Sequence, residues 1–144
     1  MKSTILAHPR EEELLALAQA AFDAAYAPYS KFRVGAAVLT ESGGVFSGCN
    51  VENASFGGTI CAERNAIAAA VCGGHTRIVV CAIVTAHTHP ASPCGFCRQV
   101  LREFSEDALV VSKTTDGQSR RWTLSELLPD AFGPDDLGVG GGSE

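Results

Sequence analysis

Residues 78–86 read IVVCAIVTA, and the rest of the chain is best understood outward from them. The run carries no charge and does not alternate, which is the pattern of a central strand covered by other elements on both faces. Downstream, Pro93 opens a helix that extends to about Phe104, and residues 108–112, ALVVS, supply a further strand. Strand, helix and strand in this order imply a parallel pair joined by a right-handed crossover.

Upstream, residues 60–72, ICAERNAIAAAVC, form an alanine-rich buried helix stopped by Gly73-Gly74. Before it, residues 32–39 and 45–49 flank the turn Glu41-Ser42-Gly43-Gly44 and read as a hairpin. Residues 11–26, EEELLALAQAAFDAAY, place Leu14, Leu17, Ala18, Ala21, Phe22 and Ala25 at helical spacing behind an acidic first turn, and Pro28 ends that helix. Near the C-terminus, TLSELL at 123–128 is a short helix with a hydroxyl cap, stopped by Pro129. The sum is an α/β fold, a mixed β-sheet sandwiched by helices (α/β/α). Residues 1–132 are expected to be one domain, and 133–144, ending GVGGGSE, to form a tail too poor in apolar surface to order itself.

With 144 residues, 46% hydrophobic and 19% charged, the chain has the composition of one packed domain. Its formal net charge of -5 gives no broad cationic surface for a polynucleotide and favours small or neutral ligands. No apolar stretch approaches membrane-spanning length, and Glu11, Glu12 and Glu13 stand where a secretory signal needs an apolar core, so a cytoplasmic location without membrane partners is expected. The six cysteines are then read as reduced thiols or metal ligands.

Cys94-Gly95-Phe96-Cys97 spaces two thiols as zinc sites do, with Pro93 placing both in a first helical turn. Alone, the motif fits a redox pair or half of a four-ligand structural site equally well. Cys61-Ala62-Glu63, also at a helix start, adds the third element: a ligand two residues before a glutamate, combined with Pro-Cys-x-x-Cys, is the pattern of zinc-dependent deaminases. Cys61, Cys94 and Cys97 are therefore expected to hold Zn2+ with a fourth position open, and Glu63 to carry protons. Three thiolates on one dication leave a net charge of -1, so compensation is needed. The positive ends of the two helices supply part of it, and Arg64, three residues after Cys61, is expected to donate to a ligand thiolate. Cys49, Cys72 and Cys81 lie in or beside apolar elements and read as small core residues. His87 and His89 are read as solvated or hydrogen-bonded loop residues, since the cysteines already fill the donor count.

The line NVENASFGGTICAERNAI at 50–67, together with PCGFCRQV at 93–100, resembles the small homotetrameric cytidine deaminases. Tyr29-Ser30-Lys31-Phe32, Val34-Gly35-Ala36-Ala37, Leu127-Leu128-Pro129 and Phe132 extend the resemblance over nearly the whole chain. It implies hydrolytic removal of the amino group of cytidine or deoxycytidine, with release of ammonia, in pyrimidine salvage. It further implies substrate contacts from Phe32, Asn50, Val51, Glu52, Ala62 and Phe132. Asn50 and Glu52 would take the ribose hydroxyls, Phe32 would pack on the base, and Phe132 would come from a neighbouring subunit of a homotetramer.

Two positions depart from the family pattern. Phe56 stands where relatives usually carry tyrosine, and Gly58 where they often carry a larger apolar residue. Phe56→Tyr is accordingly expected to lower the KM for cytidine. Two rival readings differ on specific residues. The blasticidin S deaminases share the three-cysteine site but lack the Asn-Val-Glu-Asn pattern, and a zinc-stabilised binding domain would not need Glu63 and would usually fill the fourth position.

Overall fold

A computed structural model describes residues 4–139. Its elements are α1 (Glu11–Ala24), β1 (Val34–Thr40), β2 (Val45–Cys49), α2 (Ala62–Cys72), β3 (Ile78–Thr85), α3 (Gly95–Glu103), β4 (Leu109–Thr114), β5 (Ser119–Thr123) and α4 (Leu124–Leu127). The strands form one mixed sheet in the order β2-β1-β3-β4-β5. β1 runs antiparallel to both β2 and β3, β3 and β4 are parallel, and β4 and β5 are antiparallel.

Side-chain alternation along β1, β3 and β4 divides the core into two layers, which is why the 78–86 run is apolar throughout. Ala36, Val38, Cys81, Ile83 and Val110 face α2 and α3, meeting Ala62, Ala66, Ile67, Ala70 and Leu101. Ala37, Leu39, Val80, Ala82, Val84 and Val111 face α1, meeting Leu14, Leu15 and Ala18. The α/β/α arrangement read from the sequence is the one observed. Among the described residues no helix is long and apolar enough to cross a membrane.

Two glycines set how closely the helices lie on the sheet. A Cβ at Gly35 would stand 1.9 Å from the Ala18 carbonyl oxygen, and one at Gly48 would stand 2.5 Å from the Ala66 nitrogen and 2.9 Å from the Ala62 oxygen. Backbone contact between Gly48 and α2 therefore fixes the height of that helix, and of Cys61 at its start, above the sheet.

Three expectations change. First, β5 was not expected, because SRRWT has no apolar period and buries only Trp122. Asp116-Gly117, with Gly117 at a φ of 102°, is the hairpin signal that marks it. Second, Glu11 is not a solvated first-turn acid. It is buried, and accepts two hydrogen bonds of 2.6 Å from Arg121 on β5, so the start of α1 is tied to a strand 110 residues further along the chain. Third, the segment expected to be an unordered tail from 133 includes the 3-10 turn Pro134–Leu137 with Pro134 buried, because the Asp136 carboxylate accepts from the Gly133 amide at 2.8 Å and closes the turn locally. Residues 140–144 lie outside the described residues. Of the three cysteines read as core, Cys81 is buried and Cys49 half-buried, whereas Cys72, in the last turn of α2, is exposed.

Candidate active site

α2 and α3 pack against each other with their N-termini adjacent, and the thiols meet there. Cys61 is the N-cap of α2 and Cys94 the N-cap of α3, and neither helix has a side-chain hydrogen bond at its cap. The first-turn amides that a serine or aspartate would satisfy elsewhere are left facing the sulfurs, where the helix dipoles favour thiolates.

The Sγ atoms of Cys61, Cys94 and Cys97 all lie within 4.8 Å of one another. Cys61 and Cys94 are 3.7 Å apart, and Cys94 and Cys97 3.5 Å. Sulfurs bonded to one tetrahedral zinc at about 2.3 Å sit about 3.8 Å apart, so both the separations and the chemistry of the donor set fit that ion. Cys61 is held below the ordinary thiol range by hydrogen bonding with Cys97 and then with Arg64, while Cys97 is pushed up by the neighbouring Cys61 and by burial.

Glu63 lies in the first turn of α2 and is buried. Burial pushes its carboxyl above the ordinary range, and the neighbouring Cys61 charge adds to that. A buried carboxyl of raised proton affinity, two residues from one of the clustered thiols, is suited to taking up and giving back a proton. Arg64 Nη2 donates to the Thr59 carbonyl at 3.4 Å and to Cys61 Sγ at 3.7 Å.

The remaining sequence-selected residues occupy the loops beside this junction. The Asn50 side chain is buried and engaged at both ends: Oδ1 accepts from the Val34 amide at 2.9 Å, and Nδ2 donates to the Phe32 carbonyl at 2.8 Å. Glu52 accepts from the Tyr29 and Ser30 amides at 3.0 and 3.1 Å and from the Ser30 hydroxyl, and the hydroxyl bond is the chief reason its carboxyl lies below the ordinary range. Val51 is exposed and forms single bridges to Tyr26 and Ile60, and Ala62 is fully buried. Phe32 is partly exposed and meets the His87 ring edge-on at 6.0 Å; Phe56 is exposed and edge-on to Tyr29 at 5.9 Å. A groove of about 310 Å³ lies between Tyr29, Ser30, Glu52, Phe56 and Thr59. Phe132 stands apart on the C-terminal segment, exposed, with its carbonyl accepting from Gln99 Nε2 at 2.8 Å.

Two supporting residues were not selected from sequence. Arg98 donates from Nε to the Pro93 carbonyl at 2.7 Å, from Nη1 to the Leu127 carbonyl at 2.8 Å and from Nη2 to Ser92 Oγ at 2.9 Å, clamping the approach to Cys94. Asn65 Nδ2 donates to the Cys49 carbonyl at 2.8 Å and ties α2 to the end of β2. Their position beside the cysteine motifs is a signal for Arg98 and Asn65, but the Leu127 and Cys49 carbonyls they reach lie 29 and 16 residues away, which no motif spells out.

An α/β/α sheet whose two helix N-termini bring three thiols together beside a buried carboxyl defines a mononuclear zinc protein of hydrolytic type. Residues 9–113 match the family described as the cytidine and deoxycytidylate deaminase zinc-binding region, and the chain belongs to that family. It is 44% identical over 127 residues to a cytidine deaminase of Sporosarcina psychrophila, covering 88% of this chain and 93% of the relative. It is 48% identical over 113 residues to a cytidine deaminase of Mycobacterium tuberculosis, covering 78% and 82%. The crystal structure of cytidine deaminase from Burkholderia pseudomallei matches with a TM-score of 0.81 at 44% identity, covering 88% of this chain and all of that one.

Proposed function

We propose that the protein hydrolytically deaminates cytidine and deoxycytidine to uridine and deoxyuridine with release of ammonia, serving pyrimidine salvage. The observation that carries this reading is the meeting of Cys61, Cys94 and Cys97 beside buried Glu63. Zinc held by those thiolates supplies Lewis-acid activation of a water molecule. Glu63 would accept a proton as water adds at C4 of the base and deliver it to N3; it would then take the proton of the new C4 hydroxyl and pass it to the amine as the C4–N bond breaks and the C4 carbonyl forms, so that one carboxyl serves as base and acid in each transfer. Its raised pKa suits both tasks. Arg64 offsets the excess negative charge of three thiolates by donating to Cys61.

Phe32 packs on the base, with the backbone of Ala62 and Val51 lining the same position. Glu52 and Asn50 first hold their loops and then offer what remains. Glu52 Oε1 is taken up by two amides, whereas Oε2, which accepts only the Ser30 hydroxyl, retains a lone pair for a ribose hydroxyl, and the Asn50 amide retains one N–H and one acceptor site. Exposure of Tyr29, Phe56 and Phe132 supports a homotetramer in which Phe132 completes a neighbouring site. A reducing, cytoplasmic location keeps the ligand thiols free.

The test is an ultraviolet assay on zinc-loaded protein against cytidine, deoxycytidine, blasticidin S and a cytosine-containing oligonucleotide. Turnover of the first two supports the proposal; turnover of the oligonucleotide alone overturns it.

A further inference from the structure

Phe96 is the residue between the two α3 ligands, in the first turn of that helix, and it is 72% exposed. Its ring lies 5.3 Å from the guanidinium carbon of Arg64, which belongs to α2. The hydrogen bonds that orient this guanidinium, to Thr59 and to Cys61, are both long and both come from Nη2. Arg64 Nε is buried and has no acceptor among the described residues. Contacts this long hold the guanidinium loosely, and the nearby Cys97 sulfur adds to its electrostatic surroundings. The Phe96 ring adds a contact from the other helix, by attraction of the cation to the ring.

We propose that Phe96 is a positioning residue for the metal: its ring fixes the Arg64 plane over Cys61 and so links the α3 donors, Cys94 and Cys97, to the α2 donor. The inference rests on the zinc site described above. It explains a large apolar side chain in solvent beside a charged centre, and it assigns to the variable position of the Cys-x-x-Cys motif a role across the helix junction. Zinc leaves only when the two helices' donors part, so loosening the cross-helix contact speeds its release.

The experiment follows transfer of zinc from the loaded, full-length protein to a chromogenic chelator in Phe96→Leu, Phe96→Tyr, Phe96→Trp, Arg64→Gln and the Arg64→Gln/Phe96→Leu double variant, with assembly state measured by sedimentation. Expected is release about two- to five-fold faster in Phe96→Leu, parental release in the two aromatic variants, and no further acceleration when Phe96→Leu is added to Arg64→Gln. If Arg64→Gln takes up too little zinc to follow, the aromatic-against-leucine order decides. Unchanged release in Phe96→Leu overturns the proposal, as does the same acceleration in both Arg64 backgrounds, or acceleration that tracks loss of assembly. A parent protein that takes up no zinc overturns the metal assignment itself, a result distinct from all of these.

Discussion

The α2–α3 junction and the loops at 29–34 and 50–52 dispose of their polar groups in opposite ways. At the junction the helix caps are left to cysteine, first-turn amides have no side-chain acceptor, and the thiols are gathered at the separation a zinc ion needs. In the loops, Asn50 bonds to the backbone on both sides of Arg33, while Glu52 gathers two amides and a hydroxyl. The first region is a set of donors awaiting a charge, and the second is a set of donors and acceptors already paired. Chemistry belongs at the first, whereas the second shapes a cavity and lends its spare lone pairs.

That contrast can be broken most sharply at Glu63. Glu63→Ala is expected to lower kcat by about 10² to 10⁴-fold, the typical yield of general acid and base catalysis, with zinc content unchanged by metal analysis; loss of zinc together with activity would make Glu63 part of the donor set instead. In the loops the effect should be on stability and binding together. Asn50→Ala leaves the Phe32 carbonyl and Val34 amide unpaired at a buried position, so about 1–3 kcal/mol of stability should be lost in urea unfolding, with KM rising more than kcat falls.

A control away from both regions is Arg121→Ala, which strands buried Glu11; about 1–3 kcal/mol of stability should go, with zinc release and KM at parental values. The smallest effect is a titration. The Ser30 hydroxyl is the largest cause of the depressed Glu52 pKa, so Ser30→Ala should move the Glu52 carboxyl back up toward 4.5, read by carbon NMR. Because the folded pKa is depressed, the order this carboxylate confers is complete above 4.5 and is lost as pH falls through the lower folded value. In Ser30→Ala the loss should begin at higher pH, and an unmoved titration would assign the depression to the backbone amides.

The two regions also differed in how far they could be read in advance. Cys61-Ala62-Glu63 and Pro93-Cys94-Gly95-Phe96-Cys97 announce their chemistry because the two motifs occur together, a combination that neither a redox pair nor a dipole-favoured first-turn acid requires, and the apolar run at 78–86 announces a strand covered on both faces. β5 escaped because an edge strand with two arginines has no apolar period to detect. The internal pairing of Asn50 and Glu52 escaped because its partners are backbone groups 16 to 23 residues away.

By itself, then, the sequence determined the clustered thiols, the glutamate proposed to carry protons and the layered sheet, since these follow from side-chain chemistry and from periods of two and 3.6 residues. Only the tertiary structure decided which polar groups are already satisfied, that Phe96 of one helix lies on Arg64 of the other, and that Glu11 is buried against Arg121. Those contacts join segments distant along the chain, and their partners are chosen by how the helices rest on the sheet, where Gly35 and Gly48 let backbone touch backbone.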